Sequence, residues 1–418
     1  MATEQSVTSF DKALKEFYLP RLQSTINTDR ILLTRIQKDV SKTDASGRHA
    51  TCPINIRPSQ AMGSRHGTIG SPSLPAPQNQ TIIATTIPFA YNYATIRITH
   101  PAIAASKNDK GSFVRVVGSE MDGIRRDLKN DINRQLFGDG SGTLGRVNDD
   151  TGSAEATHTV EAGHYIKPGM SLVTSAAKDG TEAVAAGVTV VTSVTDTTIT
   201  GNQVAMADNA YIFRDGTFLG KVGTTNGEGG ADMMGLSGII YSNADESGGL
   251  TVLQGIDRST YPEWDAQVVD GGNNDIDEAE LDSLILKVQE QGEGDPSLMI
   301  TSSTQFRKIG ALMTANRRYT PAQTLEGGFQ ALDWAGIPIV WDRDCPRCGD
   351  NGIRDQLFIL DEDDFAVYQL QDWDFDDTDG GVLHRQQGLA AYDATLFYYA
   401  ELGCMAPDDQ GKLINLAR

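Results

Sequence analysis

Cysteine is scarce in this chain, with only four residues among 418. A disulfide framework needs many paired cysteines in a short secreted chain, so this content predicts a protein that is stable without disulfides in a reducing compartment. Long apolar runs are also missing. The first residues, MATEQSVTSFDKALKEF, contain no basic segment followed by an apolar one, and no later stretch of about 18 apolar residues occurs. We therefore predict a soluble, cytosolic chain with no membrane contact.

Positive charge is low relative to negative charge. The chain has 35 Lys and Arg against 56 Asp and Glu, a net charge of −21. This field repels phosphate backbones, which disfavours sequence-specific DNA binding. With 39% hydrophobic and 22% charged residues, the composition is that of a globular protein. A length of 418 residues is enough for two to three domains.

Motifs for catalysis are missing as well. The sequence has no G-x-x-x-x-G-K-[ST], H-E-x-x-H or G-x-S-x-G motif, and its six histidines are scattered. We expect no catalytic residues and no cofactor. Gly140 to Gly145 fits the G-x-G-x-x-G pattern, but a dinucleotide loop follows a strand and begins a helix, whereas here a helical pattern precedes the glycines. We interpret them as a helix stop; a nucleotide-binding enzyme is the alternative.

One cysteine pair and one aspartate cluster are weak candidates for metal sites. Cys345-Pro-Arg-Cys348 is half of a zinc site without a second half, so a turn is the simpler interpretation, with His384 or Cys404 as the alternative further ligands. DWDFDDTDGG places aspartates as in a calcium loop, but the required glycine and glutamate are missing. A solvated acidic turn is the simpler interpretation there. The aspartates concerned are Asp372, Asp374 and Asp376.

The elements that are present succeed one another in a distinctive order. Helical periodicity up to about residue 45, broken at Pro20, predicts an arm. Residues 51–99 alternate between proline- and glycine-rich stretches and strand patterns, which predicts a two-stranded excursion with a reach on the order of 60 Å. Such a loop lacks packing partners in its own domain, so we expect it to lie on a neighbouring molecule. A helix of about 25 residues ends near Gly138.

The rest of the chain is first β-rich and then mixed. Residues 151–230 are rich in Thr, Val, Ala and Gly and predict a small β subdomain. Past residue 274, a capping box at Asp277 and Glu280 predicts a helix that leaves at Gly292, and SLMIT, IPIVWD, QLFILD and FAVYQLQDW predict strands. DATLFYYAELGC predicts a long final strand.

This ordered combination resembles the major capsid proteins of tailed bacteriophages, which have the Hong Kong 97-type fold. The stretches that carry the resemblance are GGFQALDWAGIPIVWDRDCP, QLFILDEDDFAVYQLQDWDF, YDATLFYYAELGCMAPDDQGKLINL and DGIRRDLKNDINRQLFGDGSG. The resemblance implies an α+β fold with an N-terminal arm, an extended E-loop hairpin, a long spine helix, peripheral and axial domains, and here an inserted β subdomain. The implied ranges are 1–50 for the arm, 51–99 for the E-loop, 100–145 for the peripheral domain with the spine helix, 146–235 for the insert, 236–357 for the axial domain and 358–418 for the return to the peripheral domain.

The resemblance also implies partners and a location. The chain is expected to assemble with itself as hexamers and pentamers into an icosahedral virion shell that encloses double-stranded DNA without reading its sequence, after assembly in the host cytoplasm. A separate scaffolding protein, a portal and a decoration protein are the implied further partners. An encapsulin-like cellular compartment with the same fold is the alternative. The candidate assembly contacts are Arg57, Arg65, His66, Arg97, Arg125, Arg126, Arg134, Trp373 and Arg385. Arg125, Arg126, Lys129 and Arg134 form a basic strip on the long helix. A solvated helix face is the simpler interpretation of this strip.

Two departures from the family pattern carry expectations. Some members join an E-loop lysine to an asparagine of a neighbour, but residues 57–97 contain no lysine. We therefore expect denaturing electrophoresis of particles to show no ladder of linked subunits. Some members also carry about 100 helical N-terminal residues that a protease removes. Because only about 45 residues precede the E-loop here, we expect little or no cleavage.

Overall fold

The computed structural model describes residues 31–37, 47–64, 75–106, 116–148, 154–161, 163–178, 189–195, 197–215, 232–243, 251–292, 294–315, 323–324, 330–347, 355–377 and 382–417. No helix within these ranges is long and apolar enough to cross a membrane. The predicted arm falls outside them except for residues 31–37 and 47–50, and so do Arg65, His66 and Cys348.

The described chain is α+β, as predicted. Its helices are α1 (Ile31–Gln37), α2 (His100–Ser106), α3 (Val116–Phe137), α4 (Leu236–Ile239), α5 (Glu278–Lys287) and α6 (Ser303–Ala315). Its strands are β1 (His49–Arg57), β2 (Thr81–Pro88), β3 (Ala90–Thr99), β4 (Thr143–Val147), β5 (Ala154–Glu161), β6 (Ser171–Ser175), β7 (Thr189–Val194), β8 (Thr198–Ala205), β9 (Tyr211–Arg214), β10 (Val252–Leu253), β11 (Ile256–Asp257), β12 (Gln267–Asp270), β13 (Leu298–Thr301), β14 (Gln323–Thr324), β15 (Gln330–Trp334), β16 (Ile337–Trp341), β17 (Asp355–Leu360), β18 (Phe365–Phe375), β19 (His384–Arg385), β20 (Ala391–Cys404) and β21 (Gly411–Leu416).

The described residues form two compact units. The smaller takes its residues from Tyr93–Lys129 and Trp373–Phe397, and the larger from Asp29–Asn92, Asn130–Asp372 and Tyr398–Arg418. Helix α3 and strands β3, β18 and β20 supply residues to both. Strand β20 pairs with β3, β18 and β19.

A seven-stranded mixed sheet forms the centre of the larger unit. Its order is β12-β21-β17-β13-β16-β15-β14, with β12–β21 and β13–β16 parallel. Helices α5 and α6 contribute Leu281, Leu284 and Ile309 to a core with the buried strand residues Met299 and Ile339. Every position of β13 and β17 is buried, including the polar Asp355 and Gln356 at the start of β17, as expected for strands covered on both faces.

The start of α5 and its exit at Gly292 are as the sequence predicted. Asp277 caps the helix by accepting a 2.7 Å hydrogen bond from the backbone N–H of Glu280. After Lys287 the helix continues as a π turn, Val288–Gly292. A Cβ atom at Gly292 would lie 2.1 Å from the backbone oxygen of Asp408, so only glycine fits this exit.

A closed six-stranded barrel occupies the predicted β-rich region. Its strands follow the order β4-β5-β8-β7-β6-β9 around the barrel. The interior is filled by apolar side chains, among them Leu144, Val160, Leu172, Val191 and Ile212. The boundary predicted at residue 146 is wrong, because it falls inside β4, whose Thr143 and Arg146 already pair with β9.

Two further sequence boundaries need correction. Strand β2 ends at Pro88, and β3 pairs with β20 instead of continuing the excursion, so residues 51–99 are not one hairpin. A boundary at residue 358 divides β17, which lies in one sheet with β13 and β21. Nor is β20 the last strand. The GKLINL segment forms β21, which lies between β12 and β17. Its backbone N–H and C=O groups form hydrogen bonds with both neighbouring strands.

Candidate functional site

Strands β1 and β2, with the described residues between them, form a two-stranded antiparallel ribbon. The pairs run from His49 opposite Pro88 to Arg57 opposite Thr81. Burial along β1 alternates between exposed and intermediate, and no residue of this strand is fully buried. Nine residues at about 3.3 Å each give a paired length of roughly 30 Å. Residues 65–74 of the predicted excursion lie outside the described ranges.

The outer part of the ribbon exposes two large apolar side chains. Ile82 is 65% exposed, and Met62, beyond the paired residues, is 81% exposed. An isolated two-stranded hairpin is at best marginally stable in water. These exposed apolar side chains would be stabilised by contact with a partner.

The inner end of the ribbon, in contrast, is well packed. Ile87 and Phe89 form a buried cluster with Tyr368, whose hydroxyl lies 3.4 Å from the Cys52 sulfur. Burial and the Cys52 contact raise the pKa of Tyr368. A Cβ atom at Gly403 would lie 2.7 Å from the Tyr368 ring, so the cluster depends on this glycine.

Arg57, predicted as an assembly contact, has partners in its own chain. Its guanidinium donates to both carboxylate oxygens of Glu263 at 2.7 and 3.0 Å, and to the backbone oxygen of Thr260 at 3.4 Å. It also lies 5.2 Å from the centre of the Tyr261 ring. Both charged side chains are 44% exposed.

The candidates in the smaller unit also have intrachain partners. Arg97 on β3 forms a two-fold hydrogen-bonded pair with Asp393 on β20, at 2.8 and 3.1 Å. Arg125 lies 5.0 Å from the centre of the Phe375 ring, and Lys129 lies 5.4 Å from the centre of the Trp373 ring. These cation–π contacts place the basic strip of α3 against β18 rather than wholly in solvent. Arg126 lies 3.5 Å from its neighbour Asp127.

Arg134 requires a different interpretation from the others. Its side chain is only 10% exposed and forms ion pairs with Asp131 at 3.2 Å and with Asp232 at 2.6 Å. A charge this deeply placed is part of the subunit interior, so the prediction of a surface contact is wrong for Arg134. Arg385 lies exposed on β19, where it pairs with Tyr392 of β20.

The weak metal candidates do not form a metal centre in the described residues. Cys345 is buried, with its sulfur 3.8 Å from the backbone oxygen of Gln356. Asp372 and Asp374 are exposed on β18, and Asp376 accepts from His384 through its backbone oxygen at 3.1 Å. In the described ranges, no three His, Cys, Asp or Glu side chains are grouped so that they could hold a metal ion.

The glycine loop serves the backbone. Helix α3 precedes it and strand β4 follows it, the reverse of a dinucleotide loop. Gly140 and Gly142 have φ angles of 77° and 78°, which glycine adopts without strain. Asp139 accepts from the backbone N–H of Ser141 at 3.0 Å and pairs with Lys178, so the turn is held by its own side chains.

Sequence reasoning missed the acidic and aromatic partners of these arginines. Glu263 and Asp393 carry no local motif, since they lie 206 and 296 residues from the arginines they bind. It also missed the exposed aromatics of β3. Tyr93 is 56% exposed and packs edge-on against Phe397 at 5.7 Å between ring centres. The alternation in AYNYATIRIT was the available signal for this face.

Comparisons with known proteins identify one family by sequence and a shared fold by structure. A family profile described as SU10 major capsid protein matches residues 170–387, just over half of the chain. Among solved structures, a chain of the Cyanophage A-1(L) capsid asymmetric unit has a TM-score of 0.61 at 12% identity, with 99% of this chain and 100% of that one covered. A chain from the capsid of a native GTA particle has a TM-score of 0.52 at 9% identity, with both chains fully covered. No curated protein sequence matches significantly.

Proposed function

Because the chain belongs to the SU10 major capsid protein family, we propose that it assembles as hexamers and pentamers into an icosahedral shell around phage double-stranded DNA. It is a structural protein of the virion capsid, not an enzyme, and it associates with itself in a multimeric shell. The family match favours a viral capsid over the encapsulin-like alternative.

The observation that carries the proposed assembly is the ribbon. Its inner end is packed in the larger unit, whereas its outer part exposes Ile82 and Met62 without a core of its own. A surface of this kind gains free energy by covering a second copy of the chain, at about 25 cal/mol for each Å² of apolar surface removed from water. Many such contacts in a closed shell add through multivalency.

Charge supports the proposed contents of the shell. A net charge of −21 repels phosphate on average, which suits a shell that encloses DNA without tight or sequence-specific binding. We further propose a separate scaffolding protein, a portal and a decoration protein as partners, with assembly in the host cytoplasm. Arg97, Arg125 and Arg385 stay candidates for contacts between subunits.

Negative-stain electron microscopy tests the proposal. The protein is expressed alone, and again with the neighbouring small acidic or helical gene product of its genome. Closed polyhedral shells, or rings of six and five subunits, are the expected result. Uniform monomers or small oligomers under both conditions, at high protein concentration and moderate salt, would contradict it.

A further inference from the structure

We propose that residues 251–264 form an intrachain brace that sets the direction of the ribbon, with Arg57 and Glu263 as the outer contact. This inference rests on the proposed function, in which the ribbon is an assembly contact. The buried cluster of Ile87, Phe89 and Tyr368 anchors the inner end of the ribbon, but the paired residues beyond it need a further contact to fix their direction. The brace touches the ribbon at two separate places.

The inner contact is a tight turn. Gln254 and Gly255, with φ angles of 51° and 79°, connect β10 and β11. The backbone N–H of Thr86 on β2 donates a 2.7 Å hydrogen bond to the backbone oxygen of Gln254. A Cβ atom at Gly255 would lie 3.4 Å from that of Thr86, so the turn fits closely against the strand.

The outer contact is the two-fold hydrogen-bonded pair of Arg57 and Glu263, with Tyr261 against the guanidinium. The hydrogen bonds from Arg57 lower the pKa of the Glu263 carboxyl, so the pair stays charged in mildly acidic solution. Planar two-fold geometry fixes orientation as well as distance, which a single hydrogen bond does not.

The two contacts are separated along the ribbon. Arg57 on β1 lies opposite Thr81 on β2, and the inner contact is at Thr86, further along β2. Five residues at about 3.3 Å each place the contacts roughly 17 Å apart. The buried cluster and the inner contact hold only the inner end of the ribbon, whereas the outer contact fixes the direction of the residues beyond it.

The brace is itself held firmly by the larger unit. Trp264 is 2% exposed, and its indole N–H donates to the backbone oxygen of Leu253 at 3.2 Å. Arg258 is 1% exposed and donates to the backbone oxygen of Ile239 in α4 at 2.6 Å. Asp257 accepts from the N–H of Ser259 at 2.9 Å, which closes the turn before Glu263. The outer contact is therefore presented from a rigid support.

Hydrogen exchange on unassembled subunits tests the brace without reference to assembly. In Glu263→Gln we expect the amides of β1 and β2 near Arg57 to exchange about two- to fivefold faster than in the wild type, as the loss of an exposed ion pair implies. Asp393→Asn is the matched control. It removes the same kind of ion pair, here with Arg97, but this pair joins two strands that already belong to one sheet. Unchanged ribbon exchange in Glu263→Gln would overturn the brace.

Charge reversal then separates an intrachain pair from one between subunits. We expect Arg57→Glu and Glu263→Arg each to reduce the yield of regular shells, and the double variant to restore it. A mixture of the two single variants restores a pair between subunits but not one within a chain. Restored shells in that mixture would overturn the brace.

A further variant distinguishes failure of the brace from failure of the ribbon as an assembly contact, which is the part of the proposed function on which the brace rests. Residues 58–80 are replaced by Asn-Gly, which joins Arg57 to Thr81 through a tight hairpin turn. Normal shells from this variant would show that the outer ribbon is not an assembly contact, while the exchange result for Glu263→Gln would still stand. Loss of shells with unchanged exchange in Glu263→Gln would instead reject only the brace.

Discussion

Arg134 and Asp232 form a 2.6 Å hydrogen-bonded ion pair, although 98 residues separate them in sequence. Arg134 lies in the last turns of α3, which leads into the barrel, and Asp232 is the first described residue after it. Asp131 joins them, accepting from Arg134 at 3.2 Å and from Arg214, the last residue of β9, at 2.9 Å. Two arginines and two aspartates thus fasten the exit of the barrel to the helix at its entrance.

Removal of the central cation should be costly. Burial opposes the ionisation of Asp131, but Arg134 and Arg214 outweigh it and hold the pKa of Asp131 below its usual range. We expect Arg134→Met to lower the free energy of unfolding by about 3 to 5 kcal/mol, because it leaves buried carboxylates without their cation. Urea denaturation of unassembled subunits measures this loss. Arg125→Met, which removes only a cation–π contact on the same helix, should cost about 0.5 to 1 kcal/mol, and equal losses would contradict the prediction.

The entrance and exit of the barrel lie side by side. The N–H of Met233 donates to Gln135 at 3.1 Å, and a Cβ atom at Gly140 would lie 3.5 Å from the Cα of Met234. We therefore expect a chain with residues 139–233 replaced by a short Gly-Ser link to fold. A single cooperative transition in thermal unfolding and a retained exchange-protected central sheet are the checks.

A deletion of residues 151–230, the range that composition alone indicates, should behave worse. It leaves β4 without β5 and β9, and so exposes Leu144 and Val147. We expect this variant to aggregate. Equal solubility of the two deletion variants would contradict the barrel boundaries.

Glycine substitutions should have opposite effects at two positions. A Cβ atom at Gly235 would lie 2.3 Å from the backbone oxygen of Gln135, a clash that requires backbone movement. We expect Gly235→Ala to destabilise the subunit by about 1 to 3 kcal/mol or more. At Gly123 in α3 nothing lies within 4 Å, so Gly123→Ala should stabilise by about 0.4 to 1 kcal/mol through helix propensity. Denaturation midpoints that move in the same direction would refute this contrast.

One carboxyl should make stability depend on pH. Burial, followed by the charges of Asp361 and Asp409, raises the pKa of Asp364 to about 7. The folded chain therefore binds this proton more tightly than the unfolded chain, whose Asp pKa is about 3.9. The resulting stability is complete below about pH 4 and is lost as the pH rises through about 7.

Asp364→Asn tests this dependence. Because the side chain is half-buried, we expect the variant to gain about 1 to 2 kcal/mol on the wild type between pH 5 and pH 8, after allowance for solvent screening. Chemical denaturation at a series of pH values measures the difference. The exposed Asp374→Asn is the control for removal of one negative charge. A constant offset between Asp364→Asn and the wild type at every pH would reject the assignment.

Local signals in the sequence predicted local structure well. The capping box at Asp277, the exit at Gly292 and the apolar runs of β13, β16 and β17 are confirmed, because each depends on residues a few positions apart. The end of the excursion at residue 99 and the boundary at residue 358 were wrong. Each concerns which strands pair, and a strand pattern does not identify its partner.

The candidate assembly contacts show the same difference between local features, which the sequence predicts, and long-range pairing, which it does not. The resemblance gave Arg57 and Arg97 as candidate assembly contacts, but nothing in the sequence identified Glu263 or Asp393 as their partners. The helical pattern placed Arg134 with the other basic residues of α3, although it is buried among carboxylates. Helical spacing assigns a residue to a face, whereas packing by distant segments decides whether that face is covered.

The sequence by itself determined the order of the elements, their types and the acidic charge of the chain, because these follow from periodicity, capping and composition. Only the tertiary structure decided where the barrel begins, which strands share a sheet and which charges are paired within the chain. Those features depend on contacts between residues tens to hundreds of positions apart, whose free energy arises only once the chain has folded. The direction of the ribbon belongs to this second group, since Arg57 and Glu263 meet across 206 residues of sequence.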